Sequence, residues 1–313
     1  MALAAETTAH DVQDLLEATR ERVREYLERT KESQSSLARS IGISPARFSQ
    51  VLAGTYAGNV EESLRLINYG LDKLQAQMAA PEPPPYAETQ AAREVLAVCQ
   101  YAHENRTIGI IHGDAGLGKT MSIRKYQSEH PDTVIVTADP TLTSMKAILE
   151  ELAAACGVKL MGSARRLRKA ISAALRGTGK LIVIDEAQHL SAKAIDTLRA
   201  IHDDSAVGMV FAGSDDFFAQ LRGRSQSDFA QFYSRVGIRR RLQPHVSAED
   251  VRQIFAGYGL SEESLRLLHE AANQGQGLRG MVKTWVFAAN FARSQGVPVG
   301  PEHILGATAY LTA

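Results

Sequence analysis

Residues 107–120 read Thr107-Ile108-Gly109-Ile110-Ile111-His112-Gly113-Asp114-Ala115-Gly116-Leu117-Gly118-Lys119-Thr120, a short apolar run leading straight into Gly-x-x-x-x-Gly-Lys-Thr. The apolar run predicts a buried strand, and a glycine-rich turn between strand and helix is the setting in which this pattern grips phosphate. Its glycines let consecutive backbone N–H groups curl round an anion, and a helix starting near Gly118 aims its positive dipole end at the same charge. Gly113, Asp114, Ala115, Gly116, Leu117, Gly118 and Met121 then line the nucleotide. Lys119 reaches the β and γ phosphates, and Thr120 holds a magnesium ion (Mg2+) through its hydroxyl. A glycine-rich turn with a surface lysine would not need the whole pattern, so nucleotide binding is the expectation from which the rest is read.

Downstream, helical and strand patterns alternate, which predicts a parallel sheet flanked by helices and an α/β fold class. The expected strands are 107–112, 133–137, 180–185, 207–214 and 237–242, with helices at 88–103, 143–156, 164–176 and 191–203. Asp185 and Glu186 close the third strand. At a strand end Asp185 can hold Mg2+, and Glu186 beside it can orient and polarise an attacking water. Adjacent acids could instead be solvated loop residues, but with a P-loop in the same sheet the catalytic reading prevails. His189 reads as a helix-start residue rather than a catalyst. Between Lys119 and Asp185 there is room for a whole strand and two helices, so the P-loop strand and the Asp185 strand are expected not to be neighbours. From 246 onward the pattern is helical only, predicting a small bundle over 246–313.

Upstream, Pro81-Glu82-Pro83-Pro84-Pro85 cannot lie inside a helix or central strand, so 79–87 reads as a stiff extended linker. It separates a helical segment, 1–78, from the α/β core, 88–245. Within that segment Leu37, Ala38, Gly42, Ile43, Ser44, Phe48 and Leu52 are spaced as in the helix-turn-helix of phage repressor and Cro-type DNA-binding domains, which the stretch resembles. Its second helix would present Arg47, Ser49 and Gln50 to a major groove. Against DNA contact stands the charge: residues 1–78 carry nine basic and eleven acidic side chains, and DNA affinity is mainly phosphate neutralisation. A protein-docking helical domain is the competing reading.

The 313-residue chain has a formal charge of zero, and the only basic excess, a small one, lies in 79–245. Cys99 and Cys156 are too far apart for a CxxC motif and sit in apolar helical patterns, so they read as buried reduced thiols in a cytosolic protein. No apolar run approaches the ~18 residues of a membrane span, and the start of the chain lacks a signal peptide's apolar core. No membrane partner and a cytoplasmic location are therefore expected.

Taken together, the P-loop, Asp185-Glu186, a sensor-like Ser214 after the next strand, arginines at 235–241 and Gly277-Leu278-Arg279 in a helical lid resemble AAA+ ATPases. More narrowly, the order helix-turn-helix, Pro-Glu-Pro-Pro linker, Gly-Asp-Ala-Gly-Leu-Gly-Lys-Thr and Ile-Asp-Glu-Ala-Gln-His-Leu is similar to phage Mu B-like transposition target-selection ATPases, related to TnsC, TniB and IstB. That resemblance implies an ATP-bound homo-oligomer, a helical filament or ring, on double-stranded DNA. It also implies recruitment and stimulation of a Mu A-like transposase, with hydrolysis driving disassembly. By the same resemblance Lys119 and Thr120 bind nucleotide, Asp185 and Glu186 serve metal and water, Ser214 and Arg279 are the two sensors, and Arg235 is the intersubunit arginine, with Arg239, Arg240 and Arg241 as competitors. The resemblance departs from pattern at Ser214, where Asn is common.

DNA binding by the core would need cations such as Lys146, or Arg165, Arg166, Arg168 and Lys169 on one later helix; an ordinary solvated helix face is the alternative. Backbone contacts of this kind would give little sequence specificity. Two other classes use the same parts: a nucleotide-switched helix-turn-helix transcription regulator, which should read one operator, and a helicase loader of the DnaC and IstB type.

Overall fold

The computed structural model describes residues 9–78, 81–141, 144–159, 162–217, 219 and 231–312. Residues 1–8, 79, 80 and 313, which belong to the expected terminal domains and linker, lie outside them. The chain forms two compact units, Met1–Pro81 and Glu82–Ala313.

The first unit holds α1 (Ala9–Thr30), α2 (Gln34–Ile41), α3 (Pro45–Ala53) and α4 (Val60–Met78). Ser33 and Ser44 cap α2 and α3 by accepting the N–H groups of Ser36 and Arg47, and Pro45 opens α3. Between them Gly42 takes the left-handed conformation at φ 84°, donating its N–H back to α2 and turning the chain. Leu37, Ala38, Phe48 and Val51 then meet Leu64, Ile67 and Leu71 of α4 and Leu16, Val23 and Tyr26 of α1 in one core.

In the second unit the strands are β1 (Ile108–His112), β2 (Thr133–Thr137), β3 (Leu181–Asp185), β4 (Gly208–Gly213) and β5 (Val236–Arg241). Their order across the sheet is β2-β3-β4-β1-β5, and every pairing is parallel. β1 and β3 are therefore separated, as expected, but by a different strand from the one the spacing suggests. The strand that intervenes in sequence, β2, lies outside β3 at the sheet edge, and β4 fills the gap. Sequence separation counts the residues between two strands; only the crossover connections decide which strand lies between them in space.

Helices α7 (Met145–Ala155), α8 (Ala164–Leu175) and α9 (Ala192–Ser205) cover one face, with Ile148, Leu167 and Leu198 against Ile110, Ile182 and Phe211. Helices α5 (Gln90–Asn105) and α6 (Lys119–Glu129) cover the other, with Val98 and Ile123 against Ile111, Val183 and Val210. Sandwiched this way, β1, β3 and β4 are buried at every position, which is why they read as continuous apolar runs. The expected helix at 88–103 begins two residues later, because Thr89 is its N-cap.

The C-terminal helices α10 (Ala248–Ile254), α11 (Glu262–Ala271), α12 (Gly277–Ser294) and α13 (Pro301–Thr312) pack round Val251, Phe255, Leu268, Met281, Trp285 and Ile304. Ser247 and Asp250 form a capping box on α10. The other oxygen of Asp250 accepts the N–H of Gln90 at 2.8 Å, tying α10 to the start of α5. Among the described residues no helix is long and apolar enough to cross a membrane.

At the amino edge of the sheet β4 starts hard against α5: a Cβ added to Gly208 would lie 2.4 Å from the Ala102 carbonyl oxygen. Backbone on both sides leaves nothing to swing away. Gly208→Ala should therefore cost roughly 1–3 kcal/mol, read as a lower denaturation midpoint with an unchanged slope.

Candidate nucleotide site at the P-loop

The sheet register brings the candidate residues to one edge. His112 of β1 is level with Gly213 of β4 and Arg241 of β5, and Asp185 ends β3 on the same side. Past His112 the loop is shaped by glycines that a side chain would break. Gly113 at φ 148° has the Leu242 carbonyl oxygen 2.9 Å from any added Cβ, and Gly116 at φ 85° has the Gln276 carbonyl oxygen at 2.2 Å. Gly118 opens α6 in the left-handed conformation and offers no side-chain cap, so the first-turn N–H groups of α6 face an anion site.

Lys119 Nζ donates to the carbonyl oxygens of Gly113 and Asp114, each at 2.8 Å. Burial pushes its ammonium below the usual lysine range, an effect opposed by the carboxylates of Glu186, Asp185, Asp114 and Asp215. Thr120 Oγ1 donates to Asp185 Oδ2 at 2.7 Å. Asp185 is 2% exposed, and burial raises its carboxyl above the ordinary value against the lowering effect of the Thr120 bond.

Glu186 leaves β3 in the left-handed conformation at φ 55°, rare for a residue with a side chain, and its N–H donates to Asp185 Oδ1 at 3.0 Å. Its carboxylate accepts from Gln188 Nε2 at 2.5 Å, and Gln188 Oε1 accepts the Ser214 N–H at 3.1 Å. Among the described residues the hydroxyl of Ser214 is buried without a hydrogen-bond partner. Next to it Asp215 binds His112 Nδ1 at 2.6 Å and the Arg241 guanidinium at 2.6 Å, which hold its carboxyl below the usual range, Arg241 contributing most.

These residues open onto a cleft of about 640 Å³, a volume ordinary for a nucleotide-sized ligand. Its lining is polar at Gly116, Gly118, Lys119, Thr120, Glu186, Gln188 and Ser214, and apolar at Pro83, Pro84, Pro85, Ala87, Met121, Ile254, Leu278 and Val282, with Tyr86 among them. The proline segment that reads in sequence as a spacer is thus, from Pro83 onward, a wall of the site. The rigidity that makes it a good spacer also makes it a good wall. Arg279 and Lys283, one turn apart on α12, complete the lining, and the Arg279 N–H donates to the Gly116 carbonyl at 3.3 Å. The donor set fits the expected groups. A hydroxyl and a carboxylate side by side suit a hard divalent cation, and a glycine cradle with a lysine suits the phosphates of ATP.

Among the remaining sequence candidates, Arg235 lies just before β5, whose start is level with Ile108 at the amino end of β1. It is at the opposite edge from its own P-loop, where its Nε pairs with Asp203 of α9 at 3.0 Å. Arg240 pairs with Glu94 at 2.6 Å, and Arg239 is exposed. Lys146 pairs with Glu150 at 3.4 Å and Arg168 with Asp204, while Arg165, Arg166 and Lys169 are exposed on α8. In the N-terminal unit Ser49 and Gln50 are exposed, but Arg47 is turned inward. It donates to Ser63 Oγ at 2.8 Å and lies 5.4 Å from the Tyr56 ring centre. Gln188 and the 83–87 wall are the site features that sequence reading misses. Gln188 sits in the quoted Asp-Glu-Ala-Gln stretch, but only the fold shows what its amide meets.

Comparison with known proteins agrees with this geometry. A family profile described as AAA domain matches residues 102–221, and one described as Mu B transposition protein, C terminal, matches 234–311. The ATP-dependent target DNA activator B of Escherichia phage Mu is 28% identical over 288 residues, 90% of this chain and 91% of that protein. The Mu-like prophage FluMu DNA transposition protein B of Haemophilus influenzae is 27% identical over 272 residues, 84% of this chain and 94% of that one. Among solved structures, the Aeropyrum pernix ORC1 protein in complex with DNA superposes with a TM-score of 0.52 at 17% identity, covering 73% of this chain and 66% of that one, a likeness of fold. With a P-loop, an Asp185-Glu186 strand end and a helical lid on one sheet edge, the chain carries the parts of an AAA+ ATPase and is similar to Mu B transposition proteins along nearly its full length.

Proposed function

We propose that this chain is an ATP-dependent activator of transposition target DNA: it assembles with other copies of itself on double-stranded DNA with little sequence preference, engages a Mu A-like transposase, and comes apart when ATP is hydrolysed. The observation that carries the chemistry is the Thr120–Asp185 hydrogen bond beside Lys119, with Glu186 lining the same cleft. The target-DNA reading rests on the name borne by the phage Mu relative. In the proposed reaction the P-loop N–H groups and Lys119 hold the β and γ phosphates, while the apolar lining contributed by Pro83–Ala87 and α12 takes the base. Thr120 and Asp185 would hold Mg2+, which when bound neutralises phosphate charge. Glu186 takes one hydrogen bond from the attacking water and aligns it with the γ phosphorus. Arg279 approaches the phosphates from the lid. Electron microscopy of the protein with ATP and random-sequence duplex should show ordered assemblies that ADP does not support; their absence would sink the assembly part of this reading.

The roles of Lys119 and Glu186 separate in two variants. Lys119→Ala should lose ATP binding, whereas Glu186→Gln should bind ATP normally and turn it over roughly 10²-fold or more slowly, since only the water-orienting carboxylate is altered. Equal turnover in Glu186→Gln and the parent protein would remove Glu186 from its role.

Arg235 is proposed as the arginine that a neighbour receives. Its place at the sheet edge opposite its own P-loop excludes service to its own γ phosphate. An arginine supplied from outside is worth ~10³ or more in rate. Arg235→Ala and Lys119→Ala subunits, each inactive alone, should regain part of the ATPase activity when mixed. No recovery at any ratio, with co-assembly demonstrated, would count against the assignment.

The N-terminal unit offers DNA little charge. Arg47, the sole cation of α3, is bound to Ser63 and Tyr56, leaving Ser49 and Gln50. Removal of residues 1–78 should therefore weaken duplex affinity only modestly and leave ATP-dependent assembly intact. Loss of all DNA binding, with the isolated unit reading one operator tightly, would favour the transcription-regulator reading.

A further inference from the structure

The carboxylate of Glu186 is not held by the strand that carries it. It follows β3 in a left-handed residue, and its side chain reaches a half-buried position at the cleft. What fixes it is the side chain of Gln188, two residues on in the 3₁₀ turn Ala187–His189. The amide is used at both ends. Its oxygen accepts the backbone N–H of Ser214 and its nitrogen donates to Glu186 Oε2. The two partners agree on which way the amide faces, because an N–H must meet the oxygen and an ionised carboxylate can only accept. The surroundings keep room for it: a Cβ on Gly213 would lie 2.8 Å from Gln188 Oε1.

We infer that Gln188 is a positioning residue for ATP hydrolysis, tethering the Glu186 carboxylate to the backbone N–H of Ser214 on the loop that follows β4. This rests on the reading of Glu186 as the group that orients water. One carboxylate oxygen is engaged by the amide, and the other is left to take the water. Catalytic geometry must hold within about half an ångström, and a glutamate with three free torsions does not supply that alone. The tether also ties Glu186 to more than its own strand. The Ser214 loop is pinned by Asp215 to His112, at the entrance of the P-loop, and to Arg241, at the end of edge strand β5. A shift of β5 or of the P-loop entrance therefore reaches the carboxylate through one amide.

Gln188→Met keeps the length and volume of the side chain and removes both hydrogen bonds. The expected result is a kcat at least tenfold lower, with the KM for ATP and the dissociation constant of a fluorescent ATP analogue within about twofold of the parent. Gln188→Glu, which keeps the acceptor for Ser214 but turns an oxygen towards Glu186, should fall at least as far, and it carries the test should the Met protein fail to bind nucleotide. In a Glu186→Gln background, measured by single turnover, Gln188→Met should cost less than twofold more, because the tether then has no carboxylate to place. A Met variant with the parent kcat overturns the inference, as does a full tenfold loss persisting in the Glu186→Gln background. Full turnover in Glu186→Gln alone overturns the reading of Glu186 and the tether with it, whereas a slow Glu186→Gln beside an unimpaired Gln188→Met overturns the tether alone.

Discussion

The site depends on a carboxylate that is buried where burial is costly. Asp185 is nearly sealed from water at the end of β3, and its charge is offset by the Thr120 hydroxyl, the Glu186 N–H and the nearby Lys119 ammonium. Those partners arrive by two routes: Thr120 and Lys119 on the first turn of α6, Glu186 by a left-handed step out of β3. They converge because β1 and β3 run parallel with β4 between them, so the P-loop and the acidic strand end open onto the same edge. The loop needs the carboxylate as much as the reverse. Desolvation pushes Lys119 towards the neutral form, and the acidic groups around it oppose that shift.

Much of this was legible in the sequence, for a definite reason. Strands buried on both faces read as unbroken apolar runs, and α7, α8 and α9 carry serine caps, so β2 was placed to the residue and the other strands and helices whose bounds were expected between 88 and 242 within two residues. The P-loop is legible because each of its residue types answers a backbone or phosphate demand. What was not legible is whatever depends on crossover geometry or on an amide's second partner. β4 as the spacer between β1 and β3, the 83–87 segment as a cleft wall and the Gln188 bridge all join residues far apart in sequence or facing across a gap.

Arg47 shows the same limit from the other side. Its position on the second helix of the helix-turn-helix pattern invites a base or phosphate contact, yet the fold gives it to Ser63 and Tyr56. A guanidinium so held supports the α3–α4 packing. On α8 of the ATPase unit, by contrast, Arg165, Arg166 and Lys169 are exposed.

The arginines around β5 present the harder case, since Arg235, Arg240 and Arg241 all have acidic partners within the same chain: Asp203, Glu94 and Asp215. An arginine already paired must give up its partner to reach a neighbour. The pairing energy sets what that costs. Arg235 and Asp203 are both about a third exposed, and pairs so wetted contribute only roughly 0–1 kcal/mol. In the role proposed for Arg235, exchanging Asp203 for a bidentate contact with phosphate on an adjoining subunit would cost little and gain a charge-assisted contact. Both partners are shared, Asp203 with Arg199 and Asp215 with His112, but only the second leads to the nucleotide site. Asp215 also binds the buried His112, so moving Arg241 would disturb the P-loop entrance and, through Ser214 and Gln188, Glu186 as well. The sheet thus places Arg235, held by Asp203, Gln231 and Ser234, at the edge away from its own P-loop, and Arg241, held by Asp215, beside that loop, the placement that the neighbour-serving role proposed for Arg235 requires.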